Sequence, residues 1–264
     1  MLRRLALLAV VPLALAACGS TRTAATTTTT PTETQTPVSP APTTVVAYFL
    51  RDGKVAPAAV QVPHTTAVAT AALNALFGPV PDGYATAVPS GTHLLSLEIA
   101  NGIATATLSP EARGMPVSAE AQIVFTLTRF PSVSGVGFRA PDGPLPILDE
   151  NGEPLDTFAT RANFERETPL ILVESPLPGD VVTSPIRVVG TSNLFEASSL
   201  LELHQDGKTL VQKIVTASAG NGERGTFDVE LPFDVTGPAT IVTYDRSAAD
   251  GSIENRVEVP VTLR

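Results

Sequence analysis

From residue 45 onward the chain alternates between two hydrophobic periods. "VVAYFLRDGKVAPAAVQV" (45–62) reads as two strands joined at Asp52-Gly53. "TTAVATAALNALFGP" (65–79) places Ala69, Leu73, Leu76 and Phe77 on one helical face, with Thr65 or Thr66 as the expected cap and Gly78-Pro79 as the stop. In "HLLSLEIANGIATATLS" (93–109), Leu95, Leu97 and Ile99 alternate with Ser96 and Glu98, and Asn101-Gly102 predicts the hairpin turn. "SAEAQIVFTLTRFP" (118–131) predicts a second helix capped by Ser118. Its run Ile123, Val124, Phe125 and Leu127 is apolar on more than one face, so this helix is expected to be buried between sheet and neighbour, with a partner groove as the other reading. Short strands follow in "SGVGFRA" and "PLPILDENGEPLDTF". The layout is α+β, with two helices on one face of a mostly antiparallel sheet. Its halves look alike, each a hairpin followed by a helix.

From 168 to 264 the helical period vanishes. Phe227, Val229, Leu231 and Phe233 alternate with Asp228, Glu230 and Asp234, and Val257, Val259, Val261 and Leu263 alternate with polar partners. About seven strands with a turn roughly every 8 to 12 residues predict an all-β immunoglobulin-like sandwich. Eight Asp-Gly or Asn-Gly pairs after residue 44 fit this density of hairpins.

The first 44 residues follow neither period. "MLRRLALLAVVPLALAACGS" has a basic start and an apolar run from Leu5 to Ala17, too short for a comfortable membrane span. Residues 1–17 are therefore expected to be a signal peptide. Leu15-Ala16-Ala17-Cys18 resembles the bacterial lipobox, which implies cleavage before Cys18 and a lipid on its thiol. An ordinary secretory peptide with Cys18 incidental is the alternative. Residues 18–44 read as a stalk: twelve Thr and four Pro fall in positions 19–44. At about 3.1 Å per residue such a stalk reaches on the order of 80 Å.

Charge narrows the partners. The chain has 264 residues and a net charge of −9, with only three Lys among its 17 basic residues. Nucleic acid and anionic lipid surfaces both require a basic patch, so neither is expected as a partner. A single Cys excludes an intrachain disulfide and multi-cysteine metal sites.

The pieces "VVAYFLRDGKVAPAAVQVP", "ALNALFGPVPDGYATAVPSGT", "LLSLEIANGIATATLS" and "LTRFPSVSGVGFRAPDG" resemble the sporulation and spore germination (GerMN) domain family, giving a first domain at 45–160. "ILVESPLPGDVVTSPIRVVGTSNLFEASSLLELHQDGK" and "GTFDVELPF" resemble the immunoglobulin-like domain of bacterial spore germination, giving a second at 168–264. The resemblance implies non-catalytic extracytoplasmic modules, some of whose relatives join envelope complexes.

Candidate chemistry is sparse. No nucleophile elbow, zinc-protease motif or phosphate loop occurs. His64, His93 and His204 lack a second ligand at metal-binding spacing. Asp149, Glu150, Glu153 and Asp156 crowd around Asn151-Gly152 but miss calcium-loop spacing. Glu98, Glu111 and Glu196 are candidate acids that no spacing unites. No cofactor or metal is expected.

Two surface elements stand out. The loop 78–92 is long and proline-stiffened, and it carries Pro81, Asp82 and Tyr84 as candidate partner-binding residues. A structural loop with Tyr84 packed down is the other reading. After strand Ile186–Val189 and a glycine break comes Leu194-Phe195-Glu196. Phe195 is expected to plug the sandwich core. Glu196 is expected either to hold the corner, by accepting hydrogen bonds from backbone N–H groups of the turn or by pairing with an Arg, or to touch a partner.

The chain thus reads as a non-enzymatic protein, lipid-anchored at Cys18 on the extracytoplasmic face of the cell membrane. It would bind another envelope protein or a cell-wall component. The alternatives are a small-molecule or lipid carrier with an apolar pocket between sheet and helices, and a hydrolase using a carboxylate pair.

Overall fold

A computed structural model describes residues 40–149 and 151–264. The signal peptide, Cys18, nearly all of the stalk and Glu150 lie outside the described residues. The stalk assignment ends two residues late, because Thr43 and Thr44 already pair with Val62 and Gln61 in the first hairpin.

The first domain opens with β1 (Thr43–Arg51) and β2 (Lys54–Val62), an antiparallel ribbon turning at Asp52-Gly53. Helix α1 (Val68–Leu76) follows. A second hairpin, β3 (Leu94–Ala100) and β4 (Ile103–Leu108), leads to α2 (Val117–Leu127). Strands β5 (Gly135–Ala140) and β6 (Gly143–Leu145) complete a four-stranded sheet of order β3-β4-β5-β6, in which β4 and β5 run parallel. The elements match the α+β expectation, with one difference in assembly. The sheet is not continuous: β1–β2 forms a ribbon of its own, and α2 packs against β1, β2, α1 and β5.

Every residue of α2 from Ala119 to Leu127 is buried. This helix also covers the open edge of β1. Thr126 Oγ1 accepts from Tyr48 N at 2.9 Å, and Gln122 Nε2 donates to Tyr48 O at 3.2 Å. A strand edge left inside a protein needs such partners for its backbone groups. Both helices start differently from expectation. No side chain caps either first turn; Ala67 and Pro116 hold the cap positions, and Thr65 Oγ1 instead accepts from Ala67 N.

The second domain is a sandwich. Strands β7 (Ile171–Ser175), β9 (Ile186–Ser192) and β12 (Gly225–Leu231) form one sheet in the order β12-β9-β7. The other has the order β11-β10-β13-β14-β8, from β8 (Val181–Val182), β10 (Ser198–Gln205), β11 (Lys208–Thr216), β13 (Gly237–Arg246) and β14 (Ile253–Leu263). Phe227, Leu231, Val259, Val261 and Leu263 enter the core together with Val188, Leu201, Leu203 and Ile241, as the alternation predicts. Gly190 is not a break. β9 runs through it to Ser192, and a Cβ there would lie 2.2 Å from Leu172 O and 2.5 Å from Phe227 Cζ. The glycine lets two strands and a ring close on one another.

Candidate functional site

The segment joining the domains is a short 3-10 helix, Arg161–Glu167, whose start is closed by Asn163 Oδ1 accepting from Thr160 N at 2.8 Å. Its side chains reach in two directions, and each direction ends in a carboxylate.

Arg161 forms an ion pair with Glu174 of β7 and donates to Thr128 Oγ1 at 2.8 Å and to Phe125 O at 3.3 Å. Its guanidinium sits 4.7 Å from the Phe125 ring centroid and 5.3 Å from that of Tyr48. Tyr48 Oη donates to Glu174 Oε1 at 2.9 Å, and Arg129 reaches Glu174 O. Burial, reinforced by the Glu174 carboxylate, pushes the Tyr48 hydroxyl up to about 12, so it remains a donor. Burial alone would lower Arg161, but the Tyr48 and Glu174 oxygens hold it above its ordinary value.

On the other side, Glu165 is gripped by Arg224 through Nε at 2.9 Å and Nη2 at 2.8 Å, and by Asn193 Nδ2 at 2.8 Å. Arg224 also donates to Pro169 O and Thr191 Oγ1. Burial would raise Glu165, yet these donors hold it below the usual carboxylate range. An apolar contact completes the joint: Leu172 of β7 is buried within the first domain's core, while its neighbours Ile171 and Val173 face the sandwich core. Relative motion of the two domains would require breaking both networks and exposing Leu172. They therefore behave as one body.

Beside this joint lies an open cleft of about 810 Å³. Arg51, Lys54, Pro57 and Tyr84 line it from the first domain; Pro169, Leu170, Pro176 and Arg256 line it from the second. Tyr84 is a fixed wall. Its ring meets Phe49 edge-on at 6.0 Å, Arg51 lies 4.3 Å above it, and its hydroxyl donates to Pro57 O at 2.9 Å. Burial raises its pKa. The loop that carries it is tied to β1 by two Leu50–Ala85 bonds of 2.8 Å each, and to α2 by Ala87 N donating to Gln122 Oε1. Pro81 is half-buried and Asp82 exposed, in a turn closed by Tyr84 N donating to Pro81 O; neither lines the cleft.

Residues 46–145 match the family model for sporulation and spore germination, and residues 170–252 match that for the immunoglobulin-like domain of bacterial spore germination. The chain carries both domains in tandem. Among solved structures, the first GerMN domain of the sporulation protein GerM from Bacillus subtilis is similar over 46% of this chain and 98% of that one, with 24% identity and a TM-score of 0.39. The tandem GerMN domains of the same protein align over 85% of this chain, with 18% identity and a TM-score of 0.43. This chain spans 61% of that tandem structure. No curated protein matches the chain. Neither family is described by a catalytic activity.

The candidate acids stay apart in the GerMN and immunoglobulin-like domains. Glu98 is exposed on β3, Glu111 lies in a 3-10 turn beside Ser109, and Glu196 is exposed between β9 and β10. His93 and Ser109 are neighbours, but the ring of His93 meets Gly91 O while its backbone N–H takes Ser109 Oγ, which leaves no nucleophile–base pair. His64 is exposed. His204 Nε2 lies 2.7 Å from Glu202 Oε2, in a cluster with Tyr244 and Gln212. Asp149 is occupied as a turn residue, accepting from Asn151 N and Glu153 N. Among the described residues, no three or more His, Cys, Asp or Glu stand together as metal ligands.

The corner after β9 corrects two expectations. Phe195 does not plug the core; it is 80% exposed, and Leu194 beside it is the buried residue. Glu196 accepts no hydrogen bond and forms no ion pair among the described residues. The polar residue of this corner that acts at the joint is Asn193. Its neighbour in the joint, Glu165, lies 28 positions away in sequence, so no local pattern marks it.

Proposed function

We propose that the chain is a non-enzymatic envelope protein, anchored through a lipid on Cys18 to the extracytoplasmic face of the cell membrane. Its GerMN and immunoglobulin-like domains act as a single rigid module that binds another envelope protein or a cell-wall component. The observation that carries this reading is the joint. Two buried or half-buried charge networks fix the domains and hold open a cleft with a rigid aromatic wall, and pre-set surfaces of this kind favour recognition because little ordering remains to be done on binding. The lipobox resemblance and the Thr/Pro stretch support the anchor and the spacing from the membrane. A carrier with a pocket inside the GerMN domain meets a filled interior: Tyr48, Phe49, Phe125, Leu73 and Leu108 are all within 1% of full burial.

In-membrane crosslinking followed by mass spectrometry tests the proposal. A reproducible envelope protein or wall adduct is expected, together with loss of the chain from the membrane fraction on Cys18→Ser. Repeated recovery of neither a partner nor wall material would sink the binding role. A Cys18→Ser chain that stays on the membrane would sink the anchor.

A further inference from the structure

We propose that the turn between β9 and β10 is a docking knob: Phe195 enters an apolar pocket on a protein partner, and the rim of that pocket is basic. The proposal rests on the reading of the chain as a binding module and names a surface of it separate from the cleft.

Among the described residues, Phe195 is the most exposed of the large apolar side chains, at 80%. An exposed ring on a loose loop would mean little, since single surface apolar residues are ordinary. This one sits on a turn that is fixed from several sides. Leu194 is buried beneath it. Leu194 O accepts from Ala197 N at 3.0 Å and from Asn221 N at 2.9 Å; Ala197 O accepts from Ala217 N at 2.8 Å; Asn193 Oδ1 accepts from Gly222 N at 3.1 Å. Ala197 has φ +54, a left-handed conformation that alanine adopts reluctantly. Gly220 closes against the turn so tightly that a Cβ on it would lie 2.5 Å from Leu194 O. A non-glycine residue held in the left-handed region is strain that the surroundings impose, and such strain gathers at functional positions. The ring is thus presented outward, and little conformational freedom is left to lose when it docks.

Charge identifies the occupant. Glu196 follows Phe195 directly, and Glu223 lies on the loop bonded to this turn; both are exposed and without an ion-pair partner among the described residues. The nearby Arg224 is turned inward onto Glu165. The ring therefore stands in an acidic setting on a chain of net charge −9. A second copy would bring like charges together, and an anionic lipid surface would be repelled. A protein pocket edged by Lys or Arg fits.

The test uses the full chain in cells with a photoreactive phenylalanine analogue at position 195, and parallel chains carrying it at Leu170 in the cleft and Leu210 on β11. The expected result is a protein adduct from position 195 whose crosslinked peptide contains apolar residues flanked by Lys or Arg. That adduct should disappear in Glu196→Lys combined with Glu223→Lys. With the partner purified, Phe195→Ala should weaken binding at least ten-fold at unchanged Tm, and Phe195→Leu should retain most of it. An adduct only with a second copy or with lipid overturns the knob, as does one indifferent to the charge reversal. Silence at 195 with an adduct at Leu170 removes the knob and leaves the binding module standing. Silence at all three positions removes both.

Discussion

The joint and the β9–β10 corner lie on either side of Asn193 and invert the usual distribution of charge in opposite ways. At the joint, charges go inside: Arg161 and Glu174 retain only 25% and 18% of their side-chain exposure. At the corner an aromatic ring goes outside, at 80%. The inward charges are all paired, and their hydrogen bonds fix direction, so they define one arrangement of the domains. The outward ring touches little of its own chain and adds little to stability. Rigidity and recognition are thus separated onto different residues, although Asn193 and Phe195 are two positions apart.

The comparison breaks most visibly at Arg161. Arg161→Ala leaves the buried Tyr48 and the half-buried Glu174 without their ion-pairing guanidinium, and only Arg129, which donates to the Glu174 backbone oxygen, remains nearby. A loss of about 3–5 kcal/mol is expected in chemical denaturation, as for removal of one partner of a buried pair. A loss below about 1 kcal/mol would show that the joint depends on Leu172 and not on charge.

Glu120 of α2 sharpens the contrast between paired and unpaired buried charge. It is 2% exposed, and among the described residues its carboxylate accepts one hydrogen bond, from Leu148 N at 2.9 Å. Burial raises its pKa from 4.5 to about 7. The folded state therefore favours the protonated form. The resulting stability is fully present below pH 4.5, declines as pH rises toward 7, and is absent above that. Glu120→Gln should flatten this part of the stability profile and add on the order of 2 kcal/mol at pH 8. Melting curves from pH 4 to pH 8 on both proteins measure it; parallel profiles would refute it.

Smaller effects should come from the second network. Glu165 keeps 33% of its side-chain exposure, more than Arg161 or Glu174, so solvent screens this carboxylate more even though Arg224 keeps only 15%. Glu165→Gln is expected to cost about 1–2 kcal/mol, because a neutral amide still accepts from Asn193 but loses the two-pronged charged contact. Least of all, Phe195→Ala and Glu196→Gln should each change stability by less than about 0.5 kcal/mol, since neither side chain is held by the fold. A drop of about 2 kcal/mol for either would mean that the corner is structural after all.

The parts of this fold that were legible in the chain are those written in local pattern. Asp52-Gly53, Asn101-Gly102 and Asp206-Gly207 all sit at positive φ in their hairpin turns. The apolar run of α2 announced a helix buried on more than one face, and the alternation in β12 and β14 announced the sandwich core. The joint was illegible because its partners are far apart: Tyr48 and Glu174 are separated by 126 positions, Glu165 and Arg224 by 59. Gly190 looked like a stop because composition does not show that a ring from β12 occupies the space of its Cβ. Phe195 looked like core because aromatic residues usually are, and only the burial of Leu194 shows which of two adjacent apolar residues turns inward.

The measurement that bears most directly on the unity of the two domains is scanning calorimetry of residues 40–264. Joined as the structure has them, they should melt in one transition, with equal calorimetric and van't Hoff enthalpies. Arg161→Ala combined with Glu165→Gln should split it into two. Two separate transitions in the unmodified chain, neither moved by those substitutions, would contradict the single rigid module.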